Sequence, residues 1–128
     1  MYRYKIHKEL KLIFIQLLGD LTLTEVIELN LQLFADPDFS TTFNGLCDAR
    51  HAKLKLNLKN LHQIHRAISE LGGTQGYWAH LIENNPRNAT LTLEYAAACP
   101  RPHHGKVFYT LEEAERFLGY QDLKTYLI

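Results

Sequence analysis

Four side chains of complementary chemistry stand within six residues at Asp48, Arg50, His51 and Lys53: carboxylate, guanidinium, imidazole and ammonium. They follow Thr41–Cys47, which reads as a strand carrying Phe43, Leu46 and Cys47 with Gly45 as a weak point. That order puts them beyond the carboxyl end of a strand, where open α/β sheets bind their ligands. They form the candidate partner or ligand site, able to hold a small anion or a charged side chain of a partner. The commoner arrangement is structural, with Asp48 accepting amides of the following loop and Arg50 bracing a neighbouring terminus. Position in a fold is an analogy and not a mechanism.

The histidines are the next chemistry. His62 and His65 lie three apart on one helical pattern and can face the same way. A zinc site would need a third ligand in space, such as His51 or the His103-His104 pair, and no strong Cys/His spacing is present. A solvated helix face is the simpler reading, and no metal or other cofactor is expected. His103-His104, in a Pro-rich loop, could tune a pH response, since histidine as a residue type titrates near neutrality, but exposed, uncoupled histidines are the default reading. Cys47, inside an apolar strand, reads as inert packing, and Cys99, nearer a loop, as the more accessible thiol. The acidic pairs Glu112-Glu113 and Asp36/Asp38 fall at helix ends, where dipole and capping explain them. Gly-x-Ser-x-Gly, Walker and Gly-x-Gly-x-x-Gly motifs are absent, and Gly72-Gly73 closes a helix where a phosphate cradle must open one. No catalytic constellation emerges, so the expectation is a protein that is not an enzyme.

The elements that must position these groups follow from periodicity. Tyr2, Tyr4 and Ile6 alternate with Arg3, Lys5 and His7, the period of a strand with one wet face. After a turn at Lys8-Glu9, Leu10–Leu18 is apolar on both faces, which predicts an interior strand ended by Gly19-Asp20. Thr22 with Glu25 makes a capping box for a helix over Leu23–Ala35, with Leu23, Val26, Ile27, Leu31 and Phe34 inward and Pro37 as its stop. Leu58, Leu61, Ile64, Ile68 and Leu71 recur at helical spacing, opened by Asn57. Tyr77–Ile82 reads as a fourth strand, Pro86–Ala98 as a helix, Cys99–Gly105 as a loop and Lys106–Tyr109 as a fifth strand. Thr110 and Glu113 then cap a last helix, with Ala114, Phe117 and Leu118 inward. The order β-β-α-β-α-β-α-β-α predicts an α/β domain around a mixed sheet.

The 128 residues suffice for one domain, read as 1–119 with an apolar tail over 120–128. Tyr126, Leu127 and Ile128 either pack back on that domain or add to a second copy in a homodimer. Fourteen basic residues balance fourteen acidic ones, which removes the positive field of a dedicated nucleic-acid binder. No apolar run is long enough to span a bilayer, and Met1–Lys5 leads into no signal-peptide core, so a cytoplasmic protein with free thiols is expected.

This order of elements resembles the STAS-like domains, the anti-sigma-factor antagonists and their relatives, and within them a bacterial, largely uncharacterised branch. The resemblance rests on Tyr4-Lys5-Ile6, a second strand ending in Gly19, Leu21-Thr22-Leu23-Thr24-Glu25 with an Asp36-Pro37 exit, and Asp48-Ala49-Arg50. It continues with Asn85-Pro86 and with Phe108-x-Thr110-x-Glu112-Glu113-Ala114 leading to Phe117-Leu118, and so spans about Tyr2 to Leu118. It implies a non-catalytic regulatory or protein-binding module. One departure matters. Antagonists switched by phosphorylation carry a serine or threonine after the third strand, whereas Asp48–Lys53 holds no hydroxyl and none follows before Ser69. Regulation by occupancy of the site is then expected in place of phosphate. The alternative, from a different class, is a carrier holding an apolar small molecule or lipid between helices and sheet.

Overall fold

The computed structural model describes residues 1–83 and 104–127. The helix expected at Pro86–Ala98 lies outside them, as do Cys99 and His103. Within them five strands form one mixed sheet in sequential order: β1 (Tyr2–His7), β2 (Leu12–Leu21), β3 (Asn44–Leu54), β4 (Trp78–Leu81) and β5 (Gly105–Phe108). β1 runs antiparallel to β2, and β2 through β5 are parallel. Three helices accompany them: α1 (Leu23–Ala35), α2 (Leu58–Glu70) and α3 (Leu111–Leu118).

β2 is interior, as its two apolar faces require. Leu12 and Phe14 bury toward α3, while Ile13, Ile15, Leu17 and Leu21 bury toward α1 and α2. The strand also runs past Gly19, which takes φ +65°, and ends at Leu21.

The helix starts use the expected chemistry. Thr22 Oγ1 accepts the Glu25 amide while Glu25 accepts the Thr22 amide. Asn57 and Asn60 do the same for α2, and Thr110 Oγ1 accepts the Glu113 amide for α3. α1 packs on part of the expected stripe, with Leu23 and Val26 against the core as expected. Leu29 and Leu33 are its buried residues, and Leu31 is exposed. Leucines, Ile27 and Val26 surround this helix, so several stripes compete. The one containing Val26, Leu29 and Leu33 faces the sheet.

The largest correction concerns β3. It does not stop at Cys47 but runs on to Leu54, so Asp48-Ala49-Arg50 lies inside the strand and not beyond its end. The register with β2 slips between Gln16 and Leu18, which pair with Asp48 and His51, so β3 carries an extra residue. That bulge breaks the alternation and lets Cys47, Ala49, Ala52 and Leu54 all pack into the α1/α2 side. The true exit, Lys55-Leu56-Asn57, also lacks a hydroxyl.

Residues 120–127 fold back on the α3 side. Leu123 is fully buried there, Tyr120 Oη donates to the Leu10 carbonyl at 2.7 Å, and the Tyr126 carbonyl lies 3.0 Å from His7 Nε2.

Candidate functional site

The side chains expected to form the site share one face of β3, opposite Cys47, Ala49, Ala52 and Leu54. Asp48 shares a face with Leu46, toward α3, and is only 3 % exposed. Its carboxylate is already engaged. Arg50 Nε and Nη2 donate to its two oxygens at 3.0 and 2.9 Å, and the Arg50 amide donates to Oδ1 at 3.1 Å. This bidentate fork holds the Arg50 guanidinium, itself about a third exposed, still more firmly protonated than usual. The pair is the self-satisfied arrangement, with Asp48 consumed by its neighbour two residues on. His51 and Lys53 are exposed on the same strand.

The two α2 histidines, in contrast, separate. His62 is exposed on α2, whereas His65 is half-buried and faces the sheet. Among the described residues no group of three His, Cys, Asp or Glu side chains could hold a metal ion.

The α1/α2 side contains the feature that the charged residues do not supply. Between α1, α2 and the sheet lies a cavity of about 440 Å³. Its floor is set by register. Ile15, Cys47, His80 and Val107 are aligned across β2, β3, β4 and β5, and the first three border the cavity. One step earlier Ile13, Gly45, Trp78 and Gly105 are aligned. Here the glycine is obligatory, because a Cβ on Gly45 would stand within 2.3 Å of the Trp78 ring. Two side-chain-free neighbours thus open a slot for the single tryptophan. Its Nε1–H is buried without a hydrogen-bond partner, so packing alone holds the indole in place.

The walls are Leu29 and Leu33 of α1 with Leu61, Ile64 and Ile68 of α2. Polar atoms enter from Asn30, His65, Ser69, Gln75, His80 and His104. His104 stacks on Tyr77 with ring centres 4.2 Å apart, and its Nδ1 lies 3.1 Å from the Gln75 carbonyl. Among the described lining residues there is no Asp, Glu, Lys or Arg. Burial, reinforced by nearby His65, pushes the His80 imidazole down to about 4, so it is neutral at physiological pH. Burial, with the Asp48 charge adding to it, pushes the Cys47 thiol up to about 12, consistent with unreactive packing.

Sequence reasoning named Cys47 and His65 for other roles and missed His80. A histidine two residues after Trp78, in a run otherwise apolar, was the available signal.

Among the described residues no helix is long and apolar enough to cross a membrane. The sequence matches no protein-family model and no curated protein. One solved structure is similar over most of both chains: an uncharacterized protein of the DUF3478 family, with a SpoIIAA-like fold, from Shewanella loihica PV-4. The likeness covers 91% of this chain and 93% of that one, with a TM-score of 0.63 and 16% sequence identity. A mixed five-stranded sheet, an opening antiparallel hairpin and helices on both faces are therefore the SpoIIAA-like, or STAS-like, fold.

Proposed function

We propose that the protein is a non-catalytic cytoplasmic binding module that holds an apolar small molecule between α1, α2 and the sheet. The observation that carries this reading is the cavity itself. Its volume falls in the range typical of small-molecule sites, and its walls are leucine and isoleucine with a few polar atoms. The space is a partly open cleft, which would give a ligand a way in. Burial holds the Cys47 thiol protonated, so it is not an activated nucleophile.

Trp78 makes the test direct, because it is the single tryptophan of the chain and borders the cavity. Titration with 10-bromo-1-decanol should quench its emission saturably, at one ligand per chain, since bromine quenches only on contact. The Ser69→Phe variant, which plugs the exposed end of α2 beside the cavity, should lose that quenching while keeping its fold. Quenching that is linear and non-saturable, and equal in both proteins, would remove the reading.

A second reading has its own support. The SpoIIAA-like fold suggests a regulatory module of the anti-sigma-factor-antagonist type, and Arg50 and Lys53, with the His51 imidazole, present polar and cationic groups on β3 for a protein partner. In that case Arg50→Ala lowers partner affinity beyond its effect on folding.

A further inference from the structure

Trp78 borders the cavity from β4, and its neighbours across the sheet determine how it lies. The register aligns it with Gly45 on β3 and Gly105 on β5, neither of which has a side chain. A Cβ added at Gly45 would stand almost equally far from three successive ring atoms, Cδ2, Cε3 and Cζ3. An approach to the edge of a six-membered ring brings one or two atoms much closer than the third, so that Cβ would meet the ring on its face. The indole therefore lies flat across Gly45, with one face on the β3 backbone and the other turned toward the α1/α2 side, where Trp78 packs. Nε1 is buried while the residue as a whole is only half-buried, so ring carbon is what Trp78 offers the cavity.

Glycine inside a strand costs stability and marks places where another group approaches closely. At Gly45 that group is the tryptophan. The result is a flat aromatic floor beneath a space of about 440 Å³ whose walls are branched aliphatic side chains. Such a floor offers a planar ring an offset stacking surface, which leucine and isoleucine cannot.

We infer that the cavity selects a ligand carrying a planar aromatic or conjugated ring, and that this ring lies on the open face of Trp78. The space has room for a fused two-ring system with a short substituent. This inference rests on the cavity being a binding site, as proposed above, and adds the class of ligand.

Two alcohols on one carbon frame test it by calorimetric titration of the native chain: naphthalene-2-methanol and its saturated counterpart, decahydronaphthalene-2-methanol. The saturated alcohol is the more hydrophobic, so apolar burial alone would favour it. The aromatic alcohol should bind tighter by about three- to tenfold, the range expected of one stacked pair. In Trp78→Leu the two affinities should converge, and Trp78→Phe, which keeps a smaller ring, should retain part of the preference. Equal binding in the native chain, or tighter binding of the saturated alcohol, would overturn the inference while leaving the cavity a binding site. So would a full preference surviving in Trp78→Leu, or failure of both alcohols to bind while 10-bromo-1-decanol still quenches saturably. If that probe never quenches Trp78 saturably and neither alcohol binds, both the inference and the reading beneath it fail.

Discussion

The two faces of the sheet are built from the same kinds of residue but finished differently. On the α3 side Leu12, Phe14, Leu46, Leu81, Ala114, Leu118 and Leu123 close together, and the charged pair Asp48–Arg50 is bonded to itself. On the α1/α2 side the strands offer equally apolar rows, yet the helices leave about 440 Å³ between them and the sheet. Chemical groups conspicuous in a sequence can be spent on holding the fold. A run of ordinary leucines can surround a space of ligand size.

Equal truncations on the two faces sharpen this contrast most. Leu12→Ala removes methyls from a filled interior and should cost about 4–5 kcal/mol, near the top of the range for such changes. Leu29→Ala should cost about 2–3 kcal/mol, because part of its surface already borders empty space. Denaturant unfolding of both variants checks the order, and equal losses would mean the cavity face is as well filled as its opposite.

Arg50→Ala comes next. It leaves the buried Asp48 carboxylate without its fork, but Arg50 is about a third exposed and water can partly replace it. A loss of about 2–3 kcal/mol is expected, less than for a fully buried pair. A variant as stable as the parent would show Arg50 to be surplus to folding, returning it to the candidate partner surface.

His80 gives the cavity side a pH signature. Its imidazole is pushed from 6.5 down to about 4 in the folded chain, so the unfolded chain binds the proton more readily. Its contribution is therefore intact above pH 6.5 and lost as pH falls toward 4, by an amount on the order of 1–3 kcal/mol. His80→Gln should flatten the stability profile in that window. An unchanged profile would place the acid sensitivity elsewhere.

The smallest effect is kinetic. Cys47, with its thiol pushed up from 9.0 to about 12, should react with a disulfide reagent at pH 8 far more slowly than an unhindered thiol. A Cys99→Ser background makes that measurement specific to Cys47.

Much of the fold was legible because its signals are local. Thr22 with Glu25, Asn57 and Thr110 each cap the helix expected of them, and the double-faced apolar pattern of β2 put it inside the sheet. The end of β3 was not legible at Asp48-Ala49-Arg50, where charges imitate a loop and a bulge shifts the alternation by one residue. Ala52-Lys53-Leu54-Lys55-Leu56 does alternate, and it was the signal for a longer strand. The α1 stripe was legible at Leu23 and Val26 but not at Leu29, Leu31 and Leu33, because a helix apolar on several sides does not specify its inner face. The cavity was not legible for a different reason. A cavity is a property of tertiary packing: Gly45 and Gly105 flank Trp78 only in the sheet register, and no spacing in the chain announces that row.

The central claim is that the hollow face takes the ligand. A crystal structure with 10-bromo-1-decanol tests it most directly, because the anomalous scattering of bromine locates the molecule without interpretation of weak density. A bromine peak between α1, α2 and the sheet, in van der Waals contact with side chains such as Leu29, Ile64 or Trp78, is the expected result. Bromine found only on the outer surface, with α1 and α2 closed down on an empty space, would contradict it.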